Sequence, residues 1–370
     1  MTTPTTNLTF SSIQAELGGS NPISLSEYTR GGSLVNTNQT SPNGTIPASN
    51  SNISMAVFRA VTKYIPAFAA TISSNQTDLN LRTWALANGW NGSVAATITI
   101  ASGVYVYATT TAGAGLTING SWPAGLTLIN NGYIMGMGGI GGGGDLAPTS
   151  GSGGAGGPAI SLGISCTIQN NSYIGGGGGG GGATEYAGGG GGAGGGAGGN
   201  SYGPEGMVYG GAGGGPGLAG VKGPTIRQIY YYSTDYNGAG GGGGRIMPGT
   251  GGAGGGPTYD FSNAGGSGGG AGGGGGGLVG TGAWYIGSDG GSAGNVGVTG
   301  DESQVLQAPY YVGYRAGAGG GGGWGASGGM NNGYHQAYGG YLGGVGGKAV
   351  SLNGYAVTWS ATGTRYGAIS

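Results

Sequence analysis

Glycine in this chain is gathered into blocks. Residues 175–182 are eight consecutive glycines, and similar blocks recur at 136–144, 151–158, 188–199, 210–217, 238–244, 251–256, 265–277, 290–297, 317–323 and 339–347. Ordering a glycine costs more backbone entropy than ordering any other residue. A chain of this kind therefore has two outcomes, a flexible coil or a structure whose packing leaves no room for a Cβ. Collagen is excluded, because the strict Gly-X-Y period is missing and only 14 prolines are present. One other ordered form meets the condition. A threefold extended helix of polyproline-II shape has a rise of ~3.1 Å and no internal hydrogen bonds. Its amides point outward in three directions and can bond to neighbouring helices. A helix enclosed by others must be nearly pure glycine, whereas an outer one can carry Ala, Ser or Pro on its free face, as 151–158 and 210–217 do. Blocks of 7–13 residues would be about 22–40 Å long.

The glycines are also unevenly placed: 7 lie in residues 1–100, 95 in 101–350 and 3 in 351–370. This divides the chain into an N-terminal region (1–92), a β-strand connector (93–135), a glycine-rich body with loops (136–347) and a C-terminal β segment (348–370). The expected fold class is mostly irregular and β, with a small mixed α+β N-terminal region. A bundle of polyglycine-II helices joined by loops follows, flanked by short strands. Ser12 to Leu17 before Gly18-Gly19 reads as a helix with a glycine C-cap. Asn21-Pro22 reads as an N-cap and first-turn proline, and Ser24 with Glu27 has capping-box spacing. Thr77 or Asp78 is placed to cap a helix running to Leu86 and closed by Asn88-Gly89. From Ala96 the period becomes two, and strands at 97–100, 104–107, 116–118 and 126–129 read as a meander.

Two internal repeats argue for order. The stretch from Thr127 to Ile134 (TLINNGYI) returns as Thr167 to Ile174 (TIQNNSYI), each running into a glycine block. Gly156 to Leu162 (GGPAISL) returns as Gly346 to Leu352 (GGKAVSL). A flexible linker has no reason to repeat apolar strands at such joints.

Most chemistry can be set aside. With 105 glycines, a G-x-G-x-x-G match carries no information. Gly347-Lys348-Ala349 fails the phosphate-loop pattern. His335 is the only histidine and Cys166 the only cysteine, which leaves neither a zinc cluster nor a disulfide framework. Cys166 sits in an apolar strand pattern and reads as a buried thiol. Eleven acidic residues make a carboxylate pair scarce, although Asp235 and Asp301-Glu302 could meet at one end of the body. Net charge is −1, so no basic field points to nucleic acid. Seven Asn-x-Ser/Thr triplets follow from the composition alone. No enzyme, cofactor or metal site is expected.

The loops between blocks have another composition. Tyr supplies a large contact area with two χ angles and a polar tip, which suits binding loops. The expected receptor-binding residues are Tyr186, Tyr230, Tyr231, Tyr232, Asp235, Tyr236, Tyr259, Tyr310, Tyr311 and Tyr314. The isolated Tyr133 and Tyr173, at repeated strand positions, are expected to pack against the glycine surface instead. If turns alternate between ends, loops 183–187, 218–237, 257–264 and 298–316 share one end.

Three segments carry a family resemblance. Ser12 to Tyr28 (SIQAELGGSNPISLSEY) resembles a segment recurrent in virion proteins of tailed bacteriophages. Leu81 to Gly92 (LRTWALANGWNG), followed by alternating strands, resembles a domain of phage tail proteins. The ending from Asn353 to Gly367 (NGYAVTWSATGTRYG) resembles the C-terminus of glycine-rich tail fibres. The glycine body resembles the polyglycine-II sandwich of distal tail-fibre adhesins. The resemblance implies a location on the virion, at a tail fibre or tail tip, and attachment to other phage tail proteins, as a monomeric cap or a homotrimer. It also implies binding of a bacterial outer-membrane protein or surface glycan through the loops. The alternative is a structural fibre or filament component with a stiff glycine-rich spacer.

Overall fold

The computed structural model describes residues 2–49, 52–143, 151–183, 188–203, 206–230, 233–247, 262–263, 302–307, 311–316, 318–330 and 341–370. The chain forms two compact units, Met1–Ala67 and Phe68–Ser370. In the first, helix α1 (Phe10–Leu17) starts at Thr9, whose side chain accepts from the Ser12 amide, and ends at Gly18 with φ of 91°. Ser24 and Glu27 do form a capping box, on a 3₁₀ turn over Leu25–Tyr28. The helix therefore begins three residues beyond Pro22, not at it. Ile13, Leu17, Tyr28, Val35, Ile46, Phe58 and Val61 form this unit's core.

The second unit is built on coils of three strands. The first coil holds β1 (Phe68–Ile72), β2 (Gln76–Thr77) and β3 (Leu79–Asn80), followed by helix α2 (Leu81–Ala87). Asn80 caps α2 by accepting from the Thr83 amide. Asp78 instead accepts from the Thr109 amide at 2.9 Å, so the expected cap lies two residues too early. The second coil is β4 (Ala96–Ile100), β5 (Tyr105–Tyr107) and β6 (Leu116–Ile118); the third is β7 (Leu126–Asn130), β8 (Tyr133–Met135) and β9 (Ile160–Leu162). The fourth begins with β10 (Cys166–Asn170) and β11 (Tyr173–Gly175). A long insertion then carries β12 (Ser201–Gly203), β13 (Gly206–Val208), β14 (Thr225–Tyr230), β15 (Ser233–Gly238), β16 (Ser262–Asn263), β17 (Glu302–Gln307) and β18 (Tyr311–Ala316). The coil closes with β19 (Val350–Ser351), and β20 (Val357–Ala361) and β21 (Thr364–Tyr366) start a fifth coil whose third side is Ile369, bridged to Val350.

Like strands of successive coils pair in parallel. The sheets run β1-β4-β7-β10-β20, β2-β5-β8-β11-β21 and β3-β6-β9-β19. This three-sided coil replaces the expected meander. The alternation was read correctly, but a meander also needs tight antiparallel turns, and here each strand turns a corner instead. The repeats are its register: Thr127 lies opposite Thr167, and Ile160 opposite Val350. Inward residues stack along the axis, with Ile98 opposite Leu128 and Leu128 opposite Ile168, all fully buried. At one corner the interior turns polar. Asn130 Nδ2 donates to Asn170 Oδ1 at 2.8 Å and to the Tyr173 carbonyl at 3.1 Å. Asn170 Nδ2 donates to the Thr362 carbonyl at 2.9 Å. The paired Asn-Asn motifs thus satisfy buried groups where the chain turns.

The glycine segments are two insertions at one corner, between the second and third strands of the third and fourth coils. Segment 176–182 shows what holds the glycine stretches. Gly177 and Gly180 donate to Gly157 and Gly154; Gly178 and Gly181 donate to Ala193 and Gly190; Gly179 and Gly182 donate to Ala326 and Gly329. Its carbonyls accept in the same rhythm from 136–142, 319–325 and 344–347. Each neighbour is met every third residue, and six segments surround this one. A Cβ at Gly178 would lie 2.0 Å from the Gly322 oxygen, and one at Gly179 1.8 Å from that of Gly344. Only glycine fits there.

Candidate functional site

The body has a near end, on the coils, and a far end. At the near end four tyrosines, Tyr105, Tyr133, Tyr173 and Tyr366, stack along one sheet with ring centroids 4.8, 5.9 and 6.5 Å apart. They pack with Met135, Ala193, Met247 and the fully buried Trp324, whose indole N–H donates to the Ile246 carbonyl at 3.0 Å. Tyr133 and Tyr173 therefore pack within the structure, but against one another and these side chains where a bare glycine surface was expected. Burial pushes the Tyr105 and Tyr366 hydroxyls above the usual tyrosine range, with smaller contributions from Tyr133 and Tyr173. Arg245 ties body to coil: Nε donates to the Gly194 carbonyl at 2.8 Å, and Nη2 donates to that of Ala108 at 3.3 Å. Its guanidinium lies 4.6 Å from the centre of the Tyr107 ring. Burial pushes its pKa down, partly offset by Tyr107 and Asp78. These groups make a joint, with no feature of a reaction site.

At the far end one series of bonds links the outer tips of the segments. Gly142 donates to Gly181, Gly319 to Gly182, Gly189 to Gly142, Gly199 to Gly189 and Gly240 to Gly199. The hairpins grow from this level. β12–β13 follows Gly199 directly, and β14–β15 is closed at its base by Ala239 donating to Pro224 at 2.9 Å. β17–β18 ends at Ala316, shortly before Gly319. β16 pairs with β15, Ser262 opposite Tyr236. The far end thus gathers 183, 225–230, 233–238, 262–263, 302–307 and 311–316, parts of all four loops grouped by the alternation argument.

Two block assignments behind that argument were wrong, and they cancel. Residues 188–199 are two segments, because Gly194 and Gly195 turn the chain with φ of 100° and 82° at the near end. Residues 218–224 form a further segment, its Val221 and Leu218 carbonyls accepting from Gly242 and Arg245. The loop expected at 218–237 is the hairpin at 225–238.

Within β14–β15, Tyr230 stands opposite Ser233, Asp235 opposite Gln228 and Tyr236 opposite Arg227. In β17–β18, Tyr311 stands opposite Gln307 and Tyr314 opposite Gln304. Tyr186, Tyr231, Tyr232, Tyr259 and Tyr310 lie outside the described residues, as do Asp301 and His335. The hairpin β12–β13, beside β14 and β15, was not among the expected binding loops. Its signal was present in Tyr202-Gly203-Pro204-Glu205-Gly206, a turn sequence between two glycine blocks. Tyr209, just past it, is 69% exposed. Among the described residues no group of His, Cys, Asp and Glu could hold a metal ion. Cys166 is buried, and burial pushes its thiol up to about 11.

Residues 67–246, just under half of the chain, match the family model described as phage tail fibre adhesin Gp38. The resemblance read from the sequence is borne out, and this region is that of a tail-fibre adhesin of the phage virion. The family that this model describes is one of tail-fibre adhesins. No curated protein gives a significant match. Among solved structures, the gp37-gp38 adhesin tip complex of the bacteriophage S16 long tail fibre is similar at 17% identity and a TM-score of 0.40, covering 98% of this chain and 97% of that one.

Proposed function

We propose that this protein is a non-enzymatic adhesin that joins the tail fibre through its N-terminal region and binds a host-cell receptor through the tyrosine-rich hairpins. The single observation carrying this reading is the convergence of β12–β13, β14–β16 and β17–β18 on the far end of the body. A rigid platform that presents several hairpins together suits recognition, because little ordering is left to be done on binding. The platform is read as a polyglycine-II bundle, supported by the threefold rhythm of its hydrogen bonds. Residues 1–92 serve virion attachment, to other tail proteins or within a homotrimer. Residues 93–135 connect, 136–347 form the body, and 348–370 close it. Tyr186, Tyr230, Tyr231, Tyr232, Asp235, Tyr236, Tyr259, Tyr310, Tyr311 and Tyr314 form the receptor surface. The receptor is an outer-membrane protein or a surface glycan.

The test is competition. Purified protein is expected to bind susceptible cells and block phage adsorption, and replacing 226–237 by a short Gly-Ser turn should abolish both while leaving the melting temperature unchanged. Protease treatment of the cells against glycan removal then separates the two receptor classes. Full blocking by the truncated protein would reject these hairpin residues, and no cell binding by the intact protein would favour a structural fibre component.

A further inference from the structure

One face of the body shows how the glycine lattice is brought to a stop. Segments 341–347, 151–157 and 136–142 lie side by side, since Gly153 and Gly156 donate to Leu342 and Val345, while Gly154 and Gly157 donate to Ile140 and Met137. In segment 151–157 the amides that donate to backbone carbonyls are those of 153, 154, 156 and 157. The amides of Ser152 and Ala155 have no backbone acceptor among the described residues, and the same is true of Leu342, Val345 and Ile140. These residues recur every third position and all five are exposed; Ile140, Leu342 and Val345 are 60%, 59% and 65% exposed. In a threefold helix every third residue faces the same way. Within the body the amide and the Cβ of one residue meet different neighbours, as at Gly153, whose amide donates to Leu342 while its Cβ would meet Gly180; at these third positions both directions leave the layer, toward places where further glycine segments would pack.

At the inward positions of segment 151–157 the same geometry leaves no room for a side chain. A Cβ at Gly153 would lie 1.9 Å from the Gly180 oxygen, and one at Gly156 2.1 Å from that of Gly177. A side chain at an outward position must exclude an added segment by the same margin. An outer layer of bare glycine would leave an unsatisfied hydrogen-bonding surface, as the open edge of a β-sheet does, and a second copy of the chain could complete it. We propose that the side chains at these outward third positions terminate the glycine lattice and so prevent copies of this protein from layering onto one another through their backbones. Exposed Leu, Val and Ile are costly choices for a surface, but a bulky side chain obstructs an approaching segment more than Ser or Ala can.

The decisive variant bares the groove between two adjacent segments: Ser152→Gly, Ala155→Gly, Leu342→Gly and Val345→Gly together in the full chain. Sedimentation velocity should show concentration-dependent association of this variant under conditions where the wild type keeps a constant sedimentation coefficient. A matched variant with Ala at 152 and 155 and Ser at 342 and 345 keeps every Cβ while removing the apolar bulk, and it should behave as the wild type does. The proposal is overturned if the glycine variant does not associate, or if the Cβ-keeping variant associates equally. Should the glycine variant fail to fold, amide exchange of the wild type decides. The amides of Ala155 and Val345 should exchange at least tenfold faster than those of Gly154, Gly156 and Gly344, and equal protection would reject the idea.

Discussion

The three-sided coil and the glycine body sit in one compact unit and solve the folding problem in opposite ways. In the coil, Ile98, Leu128 and Ile168 stack in a dry interior, and the backbone follows from where those side chains must go. In the body, segment 176–182 has no side chain to bury and is held by backbone bonds to six neighbours. Burying a large aliphatic side chain contributes about 1.5–3 kcal/mol, whereas a backbone hydrogen bond contributes about 1 kcal/mol net. The coil can lose one contact and adjust. The body has no comparable slack, because its segments approach until a Cβ would touch a carbonyl. The coil also supplies what the body lacks, a fixed starting register, since both insertions leave from the same corner.

This contrast can be broken most directly at Gly178. Gly178→Val should prevent the body from folding, seen as loss of its protease resistance and of the main melting transition. A wild-type melting temperature would mean that the segments are not packed as described. The matching change in the coil should be graded instead. Ile168→Ala, at a fully buried position, should cost about 2–5 kcal/mol in denaturant unfolding while the fold persists.

The polar corner lies between these extremes. Asn170→Ala removes the acceptor for Asn130 and the bond to Thr362, and should cost about 1–3 kcal/mol in the same measurement. A smaller effect is expected from Cys166. Its thiol is held protonated up to about 11 in the folded coil, so above the ordinary thiol range the unfolded chain loses a proton that the native chain keeps. Stability should therefore fall as pH rises from about 9 to about 11. Cys166→Ala should flatten that part of the curve, and at pH 8 a thiol reagent should label the wild type only on unfolding. The smallest effect is expected at Arg365, whose guanidinium lies 4.6 Å from the centre of the Trp359 ring on the last coil. Arg365→Ala should change stability by about 0.5–1 kcal/mol.

Much of this was legible beforehand, for reasons that differ by region. The glycine blocks announced a backbone-packed body because no other use of eight consecutive glycines repays their entropy. The period-two strands were legible from 96 onward, and the 40-residue repeat carried the coil register before the partner strands were known. The sense of pairing was not legible. Alternating Thr and Ile specify one buried face whether the neighbouring strand runs parallel or antiparallel, and the 24-residue gap between β8 and β9 hid the return of the chain to its third side. The segment at 218–224 was missed because Leu218, Val221 and Lys222 look like loop residues. Their side chains are exposed at 218 and 221 while their carbonyls accept from Arg245 and Gly242.

For the candidate site, composition separated the tyrosine-rich stretches from the glycine, and chain geometry decided where they went. The hairpin at 201–208 joined the far end only because a turn at Gly194 and Gly195 reversed the chain. By itself the sequence determined which residues can be enclosed without a side chain, which strands have a buried face, and that ordinary active-site chemistry is scarce. Those are local properties, set by the presence or absence of a Cβ and by alternation along the chain. Tertiary structure decided the parallel coil, the six-neighbour packing of 176–182 and the gathering of three hairpins at one end. Each depends on bonds between residues up to about two hundred positions apart, such as Gly177 to Gly347 or Asn170 to Thr362, and no local pattern specifies the partner of a glycine amide.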